Sequence, residues 1–145
     1  MEVQHMFIKQ LDHLNLTVAN FEETAAWYKR VFGFEVVENG MHRGSPWGVL
    51  KAHDAMLCIY ENSERLFWSS KKLENMKVHG LNHFALRITN QEEFERALRI
   101  ENVALEYDGA WKYPHSTSWY VKDPTGYIIE VVFWANDTIR FSTDK

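Results

Sequence analysis

The chain has 145 residues, 46% hydrophobic and 25% charged, with a formal net charge of -4. That size and balance fit one compact domain with a real core, and leave out a disordered chain. There is no broad basic field to hold nucleic acid and no run of 18 apolar residues to span a bilayer. Cys58 is the single cysteine, which excludes an internal disulfide and fits a cytoplasmic location. The first ten residues include Glu2 and no apolar stretch, and do not read as a secretory signal.

The first predicted element is a strand. Leu14, Leu16 and Val18 alternate with His13, Asn15 and Thr17, so one face is apolar and the other carries the histidine. A helix follows. Asn20 is a good N-cap, Glu23 stands three residues on, Ala25, Tyr28 and Phe32 form a buried stripe, and Gly33 can close the helix. Strand-like runs come next at 34–37, 47–51 and 56–60. The polar connector, 62–80, carries Phe67 and Trp68 and reads as a linker with about one helical turn. Its two aromatics either cover a pocket or a partner subunit, or pack on the outside of the sheet.

The pattern then restarts. Leu81-Asn82-His83-Phe84-Ala85-Leu86-Arg87-Ile88 repeats residues 11–18 at an offset of 70, and Asn20, Glu22 and Glu23 fall on Asn90, Glu92 and Glu93. The second helix is capped by Asn90, presents Phe94, Ala97 and Leu98, and can end on Asn102. Strand-like runs follow at 103–107, 118–122 and 127–133. Each half is therefore β-α-β-β-β. The expected fold is α+β, one domain over 1–145. It divides into a first module at 7–61, the connector, a second module at 81–134 and a tail at 135–145.

His13 and His83 hold the same place in the two copies, on the polar face of each strand. If the halves pair with pseudo-twofold symmetry, these side chains converge. Glu130 is the only acid in the apolar run Tyr127-Ile128-Ile129-Glu130-Val131-Val132-Phe133. Burying a carboxylate there is costly unless a cation or donors satisfy it, and a metal does so; otherwise the strand is an edge with Glu130 facing water. Two imidazoles and one carboxylate would leave coordination positions open, as in catalytic sites, and admit Zn, Fe(II), Mn, Ni or Co. Further candidates share these faces or lie nearby. Asn15 can orient substrate, and Arg87 can bind an anionic group or pair with a surface acid. Tyr120 and Ser118 share one strand face. His115, in the Pro114-His115-Ser116-Thr117 loop, is either a general base or an ordinary exposed histidine. Cys58 is best read as an inert thiol.

The paired modules, Asp12-His13-Leu14, Trp27-Tyr28-x-x-x-Phe32-Gly33-Phe34, Asn82-His83 and Asp123-Pro124-x-Gly126-x-x-x-Glu130 together resemble the vicinal oxygen chelate superfamily. Glyoxalase I, extradiol dioxygenases, fosfomycin-resistance thiol transferases and bleomycin-binding proteins belong to it. The resemblance covers residues 7–134 and implies a cupped sheet around one divalent metal held by His13, His83 and Glu130. It also implies a small-molecule substrate and a homodimer. Glyoxalase I adds a fourth ligand, a Glu in the last strand of its first module. Here the offset puts Tyr60 there, and Glu61 has the opposite strand parity. Extradiol enzymes carry a Tyr ten residues before the last ligand, matched by Tyr120, and a His nine before that, where Trp111 stands. By similarity to the fosfomycin transferases, Lys112, Ser118, Tyr120 and Arg140 would contact substrate. The expected function is a metal-dependent enzyme with glyoxalase-like lyase or isomerase, or extradiol-type dioxygenase, chemistry. The alternatives are a fosfomycin-type thiol transferase or a non-catalytic binding protein of the bleomycin-resistance kind.

Overall fold

The computed structural model describes residues 7–141; positions 142–145 of the expected tail lie outside the described residues. In chain order the elements are β1 (Leu14–Val18), α1 (Phe21–Phe32), β2 (Glu35–His42), β3 (Ser45–Ala52) and β4 (Ala55–Glu61). A short connector helix, α2 (Ser70–Asn75), leads to β5 (Phe84–Ile88), α3 (Gln91–Ile100), β6 (Trp111–Lys112), β7 (Ser116–Lys122) and β8 (Ile128–Trp134). The fold is α+β, with two βαβββ modules that each form a four-stranded mixed sheet, ordered β1-β4-β3-β2 and β5-β8-β7-β6. In both sheets the first strand pairs parallel with the last. β1 and β5 are therefore edge strands, and both lie just after their histidine.

The helices form where local chemistry favours them. Asn20 and Asn90 accept from the backbone N–H of Glu23 and Glu93 at 2.8 and 3.0 Å, and Gly33 closes α1 in the left-handed region at φ 73°. Asn102, at φ 50°, takes the same conformation after α3. Leu16, Val18, Leu57 and Ile59 from the first sheet, and Ile129, Val131, Trp119 and Val121 from the second, face the helices and form the core with Tyr28 and Phe94. Each such side chain contributes roughly 1.5–3 kcal/mol on burial. Phe32 stacks on Phe94 with ring centroids 6.1 Å apart, joining α1 to α3.

One expected strand is absent. Residues 103–107 are irregular, because Tyr107 and Asp108 adopt φ of 55° and 64°, which an extended strand does not allow. The edge strand forms later, as the two-residue β6.

The Asp123-Pro124-Thr125-Gly126 turn ties the modules together. Asp123 Oδ1 accepts from the backbone N–H groups of Thr125, Gly126 and Tyr127 at 2.9–3.0 Å. Its Oδ2 accepts from the Tyr28 hydroxyl at 2.9 Å, across a sequence separation of 95. Burial raises the Asp123 pKa, while these four donors pull against it. Tyr127 donates its hydroxyl to the Thr17 carbonyl, and the Ala19 N–H donates to Thr125 Oγ1. This seam fixes the start of β8, and with it the strand that carries Glu130.

Candidate metal centre

Strand alternation sorts the site residues. On β8, Ile129 and Val131 enter the core, so Glu130 faces the opposite, concave side. The register sets Glu130 opposite Tyr120 and next to Ala85. Ser118, two residues from Tyr120 on the same face, is fully buried and donates to Glu130 Oε1 at 2.6 Å. His83, just before β5, brings Nε2 to 3.0 Å from Glu130 Oε2. The carboxylate is thus held at both oxygens, and its side chain is only 12% exposed.

Tyr120 packs edge-on against His83, with ring centroids 5.6 Å apart, and against Tyr107 at 5.2 Å. Burial, followed by the charge of Glu130, pushes its phenol pKa well up. Like any phenol near its ordinary value or above, Tyr120 is protonated at neutral pH and can donate a hydrogen bond.

The spacing of the pair suits a metal. Two ligands each 2.0–2.2 Å from one ion, at angles between octahedral and tetrahedral, lie roughly 2.8–3.6 Å apart. The 3.0 Å between His83 Nε2 and Glu130 Oε2 falls in that range. Both are N/O donors of the kind first-row divalent ions accept. His13 stands apart from them. Its Nδ1 is paired with Asp12 at 2.7 Å, and no group of three or more His, Cys, Asp or Glu side chains able to hold a metal occurs among the described residues.

The remaining sequence candidates divide. Asn15 sits opposite Cys58 on the concave side of the first sheet. Arg87 is on the concave side of the second, 3.8 Å from Asp137 and over the Trp134 ring. Lys112 pairs with Thr117, so it lies on the face opposite Ser118 and Glu130. His115 is committed elsewhere: its ring hydrogen-bonds through Nδ1 to the Thr138 carbonyl at 2.7 Å, pinning the C-terminal segment. Arg140 is half-buried in that segment. Glu61 is no neighbour of this site. Its carboxylate accepts from the Phe21 N–H at 2.8 Å, capping α1, and the β3–β4 register runs through Tyr60 without a bulge. One residue was missed: Ser116, on the same face as Ser118, is buried and its hydroxyl has no hydrogen-bond partner. Its place two residues before Ser118 was the available signal.

In the first sheet the position of Glu130 is taken by Tyr60. It stacks on Trp47 at 5.8 Å with an interplanar angle of 16°, and His42 meets it edge-on. Cys58 beside it raises the Tyr60 pKa. A Cβ on Gly40 would come within 2.9 Å of Trp47 Nε1, so glycine there lets the indole lie flat across β2.

Solved structures share this architecture. A glyoxalase family protein from Enterococcus faecalis is 22% identical, with 88% of this chain and 99% of that one covered and a TM-score of 0.72. A glyoxylase/bleomycin resistance protein/dioxygenase domain from Frankia sp. EAN1pec is 12% identical over 90% and 96%, with a TM-score of 0.73. The fosfomycin resistance protein FosX from Listeria monocytogenes, complexed with Mn(II) and sulfate ion, is 19% identical over 88% and 93%, with a TM-score of 0.64. No curated protein sequence gives a match. The family model described as Glyoxalase/Bleomycin resistance protein/Dioxygenase superfamily matches residues 10–131, and the chain belongs to that superfamily.

Proposed function

We propose that the chain is a divalent-metal-dependent enzyme acting on a small oxygen-rich molecule, with one metal held by His13, His83 and Glu130. The observation that carries this reading is the His83–Glu130 pair, 3.0 Å apart and backed by the buried Ser118 hydroxyl. Carboxylates that ligate an ion are commonly held by a hydrogen bond from behind, as Ser118 holds Glu130. FosX, a structural relative, binds Mn(II).

His13 reaches the pair from a second copy of the chain. β1 and β5 are the edges of two separate sheets, and each edge has a histidine at its start. Pairing β1 of one copy with β5 of another would bring His13 of the first toward His83 and Glu130 of the second, twice per dimer. The unpaired edges would be covered at the same time.

When bound, the metal would serve as a Lewis acid that polarises substrate oxygens. Tyr120, kept protonated, donates a hydrogen bond to a developing oxyanion. Ser118 holds Glu130 in place. Asn15 and Arg87 orient the polar parts of the substrate. Within this reading a lyase or isomerase and a dioxygenase both remain, with a thiol transferase as the alternative. An oxygen electrode with catechols, and a thiol-addition assay with fosfomycin, separate them.

The test is complementation between copies. His13→Ala and Glu130→Ala each abolish tight metal binding alone. After unfolding and refolding together, the mixed dimer regains one intact site of its two, read as metal per dimer by plasma mass spectrometry. No regain means that the site is not shared between copies. Full occupancy in either single variant removes that residue from the ligand set.

A further inference from the structure

Beside the second sheet lies a cavity of about 270 Å³ that none of the chemistry above uses. The connector supplies one wall through Leu66, Phe67, Trp68 and Leu73, and the other side is formed by Leu81 and Ile128. The lining is mostly apolar. Two of its residues are neighbours of the paired ligands in the chain: Leu81 precedes His83 by two residues, and Ile128 precedes Glu130 by two. Ile128 also shares Glu130's strand face, since it pairs with Lys122 as Glu130 pairs with Tyr120. Two residues along a strand span roughly 7 Å. The recess therefore begins about two strand residues from Glu130, and a small molecule with its oxygens at the His83–Glu130 pair could extend its apolar part along β8 toward it.

We infer that this connector cavity is an apolar subsite, and that the molecule taken at the metal pair carries an aryl ring or short alkyl chain which fills it. This rests on the metal reading of the His83–Glu130 pair. The size fits part of a molecule: complete drug-sized ligands occupy about 300–1,000 Å³. Lys72 holds the Trp68 ring by a cation–π contact, its ammonium 4.3 Å from the ring centroid, so the outer wall is braced.

The test uses two chelators with the same metal-binding head, acetohydroxamate and benzohydroxamate, titrated calorimetrically into the Zn(II)-loaded protein. Benzohydroxamate is expected to bind about tenfold tighter, from the apolar area its ring buries. Leu81→Trp, which fills the recess, and Trp68→Ala, which removes a wall, should each bring the two within about twofold, with acetohydroxamate unchanged. Equal affinities in the unaltered protein, or a preference that survives both substitutions, overturn the subsite and leave the metal reading standing. Failure to load Zn(II) overturns the metal reading instead. In that case toluene is titrated onto the metal-free protein and followed by the Trp68 indole N–H resonance. A saturable shift, lost in Leu81→Trp, upholds the recess as an aryl site; no shift overturns it.

Discussion

Tyr60 and Glu130 stand at the same place in two copies of one strand, separated by the offset of 70 that relates the modules. Each lies on the concave side, paired across to an aromatic: Tyr60 with Trp47 and Glu130 with Tyr120. From this shared frame the modules diverge. The first builds a polar-edged aromatic tier from Tyr60, Trp47 and His42, with Gly40 cut away beneath the indole. The second places an imidazole and a buried hydroxyl each within hydrogen-bonding distance of one carboxylate. A duplicated backbone thus supplies equivalent positions, and single residues decide whether a position holds a hydrogen-bonded carboxylate or a stacked ring. The helix side stayed similar in both, because each sheet still has to bury an apolar face against a capped helix.

The largest effect should come from breaking the second module's set. Glu130→Ala or His83→Ala should lower metal affinity by more than about 100-fold, beyond what loss of an outer supporting group does. Tyr60→Phe should leave affinity within about twofold. Competition with a chromophoric chelator reads both, and equal losses would erase the distinction between the copies. Ser118→Ala should cost about 10–100-fold, since it frees Glu130 Oε1 without removing a ligand.

The seam between the modules gives a smaller effect. Tyr28→Phe leaves Asp123 Oδ2 without its donor and should cost about 1–3 kcal/mol in denaturant unfolding. A cost near zero would mean that the modules do not depend on this bond. A last prediction concerns high pH. Tyr28, Tyr120 and Tyr127 all have raised pKa values, mainly from burial. In the unfolded chain they ionise near their ordinary value of about 10, so above it the folded state holds more protons. Their contribution is therefore fully present below about pH 10 and declines as pH rises beyond it. Unfolding midpoints at pH 9 and 11 check the sign, and Tyr28→Phe should flatten the decline.

The sequence made the repeat, both asparagine caps and the α+β class readable, because these depend on local spacing and short-range hydrogen bonds. Residues 103–107 misled because their apolar alternation looks like a strand, while the backbone at Tyr107 and Asp108 turns through the left-handed region. Strand parity correctly set Glu61 apart from Tyr60, but its task at the α1 N-terminus depends on a partner 40 residues away. The pairing of His83 with Glu130 follows from which strands adjoin, and the repeat and the motif pointed to both residues. The position of His13 relative to them depends on how whole sheets are arranged, which no single-strand pattern contains.

The bond between Tyr28 and Asp123 also has a meaning in time. Chains fold from the N-terminus as they leave the ribosome. The Tyr28 hydroxyl on α1 would be synthesised long before its acceptor, which arrives 95 residues later; the Thr17 carbonyl waits 110 residues for its donor and the Ala19 N–H 106 residues for its acceptor. The first half is thus born with three polar groups whose partners its sister will supply. It must tolerate water there during elongation and give that water up when the turn docks. Halting translation before Asp123 would yield a nascent half whose tyrosine hydroxyl is still hydrated. Only the finished chain buries that hydroxyl.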